Sequence, residues 1–119
     1  MLSDEEANGL ALAVAPFAGQ KYDCTTFWDM REPLAFTNRV HHILQNNGWS
    51  YMKDTQKGFL LGGLEGVEVY AHPQAPIQVQ LAADALVATL NGLGHATKRK
   101  AAGGEVHDYL SINFGTKPA

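Results

Sequence analysis

Basic side chains, cysteine and long apolar runs are all scarce in this sequence. Nine Lys and Arg residues against 12 Asp and Glu residues give a formal net charge of -3, so the chain lacks the clustered positive charge that binds a phosphate backbone. Nucleic acid is therefore not an expected partner. The one basic run, Lys98-Arg99-Lys100, is typical of a solvated edge strand, where charge opposes aggregation.

The single cysteine excludes an intramolecular disulfide, and nothing else points to an oxidising compartment. No run approaches the roughly 18 apolar residues of a membrane span. The first residues are acidic, whereas those of a signal peptide are basic. We therefore expect a cytoplasmic protein with no direct membrane insertion, unless a longer natural protein tethers it to a membrane.

Motifs for catalysis, phosphate binding and metal binding are missing as well. The chain has no Gly-x-Ser-x-Gly elbow, and its glycine clusters lack the Lys-Ser or Lys-Thr of a phosphate-binding loop. His41 and His42 are the only close histidine pair, but adjacent helical positions diverge by about 100°. The sequence therefore predicts no metal site and no cofactor. Cys24 lies in a predicted strand, where a buried, inert thiol is the usual state.

The composition is that of a folded domain, with 45% hydrophobic and 18% charged residues in 119, and we expect one domain over 1–119. Three segments show helical periodicity. The first begins at a capping box, Ser3 with Glu6, and the second runs from Pro33 to about Asn47. The third, Ile77 to Leu93, has an apolar stripe of Val79, Ala82, Ala83, Leu86, Leu90 and Leu93.

Five segments with strand character separate or follow these helices. They are Lys21 to Trp28, Trp49 to Asp54, Gly66 to Ala71, His95 to Lys100 and Val106 to Phe114. The order α-β-α-β-β-α-β-β predicts an α/β layered sandwich with three helices and a mixed, mainly parallel sheet of four or five strands. Because no helix separates the second and third strands, either they form an antiparallel hairpin or their glycine-rich connection crosses the sheet.

Several of these segments together resemble an uncharacterised bacterial α/β domain, often found as the soluble tail of proteins with N-terminal transmembrane helices. The segments that carry the resemblance are Pro16 to Lys21, Asp29 to Phe36, Asn47-Gly48-Trp49, Gly66 to Val69 and Ile112 to Pro118. The resemblance spans nearly the whole chain and implies a fold and a membrane context, but no activity and no catalytic residue. This chain departs from that pattern in having no membrane helix and in the apolar stretch from Phe59 to Leu64.

The loop after the first strand holds the candidate ligand-binding residues Asp29, Arg31 and Glu32. In an open α/β sheet, ligands bind beyond the C-terminal ends of the strands. His72 follows the third strand and joins the same crevice if both strands end at one edge. The alternative is that Asp29 and Glu32 only cap the helix that follows.

The apolar patch Phe59-Leu60-Leu61, with Leu64, is unusual in a glycine-rich connection. Such a segment either packs against its own domain or marks an interface. Since no catalytic constellation is evident, we expect a non-catalytic α/β module that senses or scaffolds through protein contacts, with itself as a partner in a homodimer. The alternative is a small-molecule-binding domain or weak enzyme, with a polar crevice at the C-terminal ends of the first and third strands.

Overall fold

Helices and strands alternate along the chain in the predicted order. The computed structural model describes residues 3–26, 31–52, 66–102 and 108–114, and for residues 25, 26 and 31–35 it describes the backbone alone. The helices are α1 (Asp4–Val14), α2 (Arg31–Asn46) and α3 (Ile77–Gly92), and a short 3-10 turn, Ala15–Phe17, follows α1. The strands are β1 (Lys21–Thr26), β2 (Ser50–Tyr51), β3 (Val67–Ala71), β4 (Thr97–Ala101) and β5 (Tyr109–Phe114).

The described strands form one mixed sheet in the order β2-β1-β5-β3-β4. β1 is parallel to β2 and to β5, β3 is parallel to β4, and β3 is antiparallel to β5. The predicted α/β fold with a mainly parallel sheet is thereby confirmed. β2 and β3 are not neighbours, because β1 and β5 lie between them, so the hairpin alternative is wrong. Lys98-Arg99-Lys100 lies in an edge strand, as predicted.

The helices cover one face of this sheet. The register places four residues in one row, and therefore on one face: Cys24, Ile112, Val69 and Arg99. On this face Arg99 Nε donates to Asp84 Oδ1 of α3 at 3.1 Å. Tyr22, which shares the face of Cys24, contacts His41 of α2. Since α1 packs against both α2 and α3, the helices form a single layer.

The core lies between the helical layer and the sheet. The strands contribute buried Tyr22, Val67, Val69, Leu110, Ile112 and Phe114. The predicted stripe of α3 is buried at Val79, Ala82, Ala83, Leu86 and Leu90, while Leu93 packs against it half-buried. Each large aliphatic side chain buried in this way stabilises the fold by about 1.5–3 kcal/mol.

The turn after α2 is bonded to the end of α1. Gly48 has a φ of 85°, the left-handed conformation predicted for the residue after the helix. The backbone N–H of Trp49 donates to the carbonyl of Leu44 at 3.0 Å, and its buried indole Nε1 donates to the carbonyl of Val14 at 3.0 Å. This second bond satisfies a carbonyl at the C-terminal end of α1, where the helix itself offers no partner.

The other end of α1 carries the predicted capping box. The backbone N–H of Glu6 donates to Ser3 Oγ at 3.1 Å, and that of Ser3 donates to Glu6 Oε1 at 2.9 Å. The bond that the Ser3 backbone N–H donates to the Glu6 carboxylate lowers the pKa of that carboxyl group, because it stabilises the charged form. Local bonds therefore fix α1 at its start, and Trp49 fixes it at its end.

Gly66, directly before β3, lies close to the backbone of Ala96, directly before β4. Its φ is 74°, and a Cβ added there lies 2.5 Å from the carbonyl oxygen of Ala96. We predict that Gly66→Ala lowers the free energy of unfolding by about 3 kcal/mol, because backbone strain and a backbone clash act together. Urea denaturation measures the loss.

Gly19 provides the matched control. Its φ of 94° is also left-handed, but nothing lies within 4 Å of an added Cβ. Gly19→Ala should therefore show the strain alone, about 1–2 kcal/mol. Equal losses for the two variants would contradict the clash at Ala96.

Candidate functional site

His72 lies at the opposite end of the strands from Thr26, the last residue of β1. Tyr70 pairs with Ser111, and Ser111 pairs with Asp23. Because β3 runs antiparallel to β1, His72, two residues after Tyr70, lies beside Lys21, the first residue of β1, when the register is followed across the sheet. The six residues of β1 span about 16 Å. This is the distance along the strands between the level of His72 and the C-terminal end of β1. The prediction that the first and third strands end at one crevice is therefore wrong, because β3 runs antiparallel to β1.

The remaining predicted site residues are only partly described. Asp29 lies outside the described residues, as does the predicted interface of Phe59, Leu60, Leu61 and Leu64. The backbone of Arg31 and Glu32 forms the first turn of α2, and their side chains are not described. Ligand binding by Asp29, Arg31 and Glu32, and the contact role of the apolar patch, stay predictions.

His72 belongs to the turn that leads into α3. Its Nδ1 accepts a hydrogen bond from the backbone N–H of Gln74 at 3.0 Å, and its carbonyl accepts one from Gln80 Nε2 at 2.6 Å. The Gln80 side-chain oxygen accepts in turn from Arg99 Nη2. These bonds join the end of β3 to α3 and β4, so the contacts of His72 described here are structural.

An aromatic cluster occupies the β1–β2 side of the helix-covered face. Tyr22 Oη lies 2.8 Å from His41 Nδ1. The ring of Tyr51 meets the His41 ring edge-on, with 4.6 Å between centroids, and Trp49 packs against Tyr22 at 5.9 Å. Burial raises the pKa of Tyr22 and of Tyr51 and lowers the pKa of His41. The neutral forms of these groups are therefore favoured, which suits a hydrogen-bonded core.

Cys24 lies two residues after Tyr22 on the same face and is half-buried. The sequence predicted a buried thiol inside a strand, and the position in β1 is confirmed while the burial is incomplete.

The opposite face of the sheet carries a row of polar side chains. The register aligns Asp23, Ser111, Tyr70 and Lys100 across β1, β5, β3 and β4. Tyr70 Oη donates to Glu68 Oε1 at 3.0 Å, and Lys100 Nζ lies 3.8 Å from Glu68 Oε2. Asp23 and Asn113 are buried. These contacts join Glu68 and Tyr70 of β3 to Lys100 of β4, and they stabilise that part of the sheet.

The residues that the structure describes form neither a metal site nor a helix that could span a membrane. Among them, no three His, Cys, Asp or Glu side chains form a group that could hold a metal ion. None of their helices combines the length and apolar character that crossing a membrane requires.

Exposed apolar side chains lie on the outer side of the helical layer. Leu12 of α1 is 78% exposed, and Ile77 and Leu81 of α3 are 72% and 50% exposed. Ile77 and Leu81 are four residues apart and therefore adjacent on one side of α3, and exposed Ala88 continues that line. We call Ile77, Leu81 and Ala88 the α3 stripe.

The outer side of α3 is also poor in charge. Among its 16 residues only Asp84 is ionisable, and Arg99 of β4 is its ion-pair partner at 3.1 Å. The first turn of α1, by contrast, holds Asp4, Glu5 and Glu6. Depletion of charge is typical of the centre of a protein interface.

The sequence did contain a signal for this surface, although none of the predicted site residues lies on it. Ile77 and Leu81 fall outside the predicted apolar stripe of α3, and Leu12 lies off the buried side of α1, which carries Ala7, Leu10 and Val14. Large apolar residues off the core-facing side of a helix are candidates for a contact surface.

No family model, curated protein or solved structure matches the chain. The resemblance to a bacterial membrane-associated domain stays a prediction, and the function is inferred from the described geometry.

The Tyr22–His41 contact predicts a pH dependence of stability. Burial lowers the folded-state pKa of His41 from its usual value of 6.5, so the unfolded chain binds a proton more readily. His41 therefore contributes stability that is present above pH 6.5 and is lost as pH falls toward the folded-state pKa. Its side chain is partly exposed, so we expect a loss below about 1 kcal/mol.

The measurement is urea unfolding at several pH values between neutrality and the onset of carboxylate titration. His41→Gln should flatten the dependence in this window. His72→Gln, at the other side of the sheet, should leave the contribution of His41 intact. An unchanged slope in His41→Gln would contradict the assignment.

Proposed function

We propose that this chain is a non-catalytic α/β module that acts through protein–protein contacts, and that the α3 stripe is its contact surface. The exposure of Ile77 and Leu81 on one side of a helix is the observation that carries this proposal. Single exposed apolar residues are common on proteins. An aligned pair on a helix whose one charged side chain is engaged in an ion pair is more typical of an interface.

The contacts of the titratable groups support a role without catalysis. His41 is hydrogen-bonded to Tyr22, and Glu68 accepts from Tyr70 and lies close to Lys100. The Tyr22–His41 contact joins β1 to α2, and the Glu68–Lys100 contact joins β3 to β4. They are what a rigid scaffolding or sensing domain needs to hold its surface in place.

The partner that we propose is a second copy of the chain. A two-fold axis brings the same surface patch of each copy together. The α3 stripe suits such a contact because its residues are uncharged, and Asp84 at its side is held by Arg99 of the same chain. Two such helices therefore meet with little like-charge repulsion despite the net charge of -3.

The size of α3 sets the expected strength of this dimer. Its 16 residues span about 24 Å, and one helix pair of that length buries less than the roughly 1,200 Å² of a standard stable interface. Leu12 on the adjoining α1 can add area. We therefore expect a weak dimer that dissociates on dilution.

We predict that Leu81→Glu weakens the dimer by at least about tenfold, which is about 1.4 kcal/mol. The substitution places a charge at the centre of the α3 stripe, in each copy. Because Leu81 is half-exposed in the single chain, the fold should tolerate the change. Sedimentation equilibrium from low micromolar to near-millimolar concentration measures the dissociation constant.

Gln45→Glu is the matched control, since it adds the same charge at an exposed position of α2. It should leave the dimer unchanged. The proposed contact surface would be wrong if the wild-type protein stayed monomeric at near-millimolar concentration. It would also be wrong if both variants weakened the dimer equally.

A further inference from the structure

A groove of about 270 Å³ lies between α1 and α2. Its apolar wall consists of Ala7, Ala11 and Ile43, and polar side chains at its sides include Asn8, Arg39 and Asn46. Ala7 and Ala11 are one turn apart on α1, so their small side chains create the space between the helices. The volume lies just below the usual range of ligand pockets, which suits a molecule of few atoms.

Arg39 gives this groove a permanent positive charge, and His42 lines the groove as well. Its Nη2 donates to Asp4 Oδ1 at 2.8 Å, and among the described residues the buried Nε of Arg39 meets no acceptor. A guanidinium carries five N–H donors, so Arg39 keeps hydrogen-bonding capacity beyond the bond to Asp4.

The Asp4 contact shows how a carboxylate engages this guanidinium. The Asp4 side chain is 98% exposed, and an exposed ion pair of this kind contributes little. A carboxylate sheltered in the groove can therefore compete with Asp4 for Arg39. The amides of Asn8 and Asn46 offer further donors to the same ligand.

We propose that the groove binds a small monocarboxylate with a short apolar chain, and this inference goes beyond the proposed protein contacts. The carboxylate binds to Arg39, and the chain packs against Ala7, Ala11 and Ile43. One guanidinium with Asp4 beside it matches a single negative charge better than a dicarboxylate or a phosphate. An anion without an apolar part would make no favourable contact with the apolar wall of the groove.

The test is a titration of the isotope-labelled full chain with isovalerate, followed by amide chemical shifts. Isovalerate should give saturable shifts at Ala7, Ala11 and Ile43. The alcohol 3-methylbutan-1-ol has the same number of carbon atoms and no charge, and it should bind about tenfold more weakly or not at all. Shifts that never saturate, or equal binding of the alcohol, would overturn the proposal.

Three variants locate the carboxylate. Arg39→Gln should weaken binding by at least about tenfold, and Lys98→Gln, which removes a cation on the edge strand, should leave it unchanged. Asp4→Asn removes the competing carboxylate without altering the groove wall, so it should strengthen binding by about twofold or more. If Arg39→Gln does not fold, Asp4→Asn still tests the proposal. Binding that is weaker or unchanged in Asp4→Asn would contradict the proposed site.

Discussion

The antiparallel pairing of β3 with β5 is the constraint on which the position of every other group depends. β1 and β2 are parallel neighbours connected through α2, and β3 and β4 are parallel neighbours connected through α3. The β3–β5 pairing reverses the second unit relative to the first, and the two units also extend toward opposite edges of the sheet. With right-handed crossovers, these two reversals place both helices on the same face.

A single helical layer follows from this arrangement, and α1 completes it between α2 and α3. Leu10 and Val14 are fully buried beneath α1, so the helix is held by packing along its length. The indole of Trp49 connects its last turn to the chain that enters β2. The outer surface of the layer is then free for contacts, and that is where Leu12, Ile77 and Leu81 are exposed.

Local signals explain why the helices were predictable and the crevice was not. Gly48 ends α2 and the Ser3–Glu6 box begins α1 through bonds within a few residues, which a sequence pattern can reveal. The alternation of Val67, Val69 and Ala71 predicts which face of β3 is buried. It is the same whichever way the strand runs, because the side-chain period of a strand is two. The direction of β3 depends on its pairing with β5, distant in the chain, and the predicted crevice needed that direction.

The position of α1 between the groove and α3 bears on whether the proposed module senses or scaffolds. Coupling a ligand in the groove to a partner on the α3 stripe requires an element with two positions that both sites bias. α1 is the element that adjoins both sites, but the capping box holds its start and the Trp49–Val14 bond holds its end. A ligand shifts an equilibrium only by the difference between its affinities for the two states. For a small monocarboxylate, this difference in affinity is too small to break both attachments of α1 and to unpack Leu10. The two surfaces should therefore act independently. Independent surfaces favour scaffolding over ligand-gated sensing.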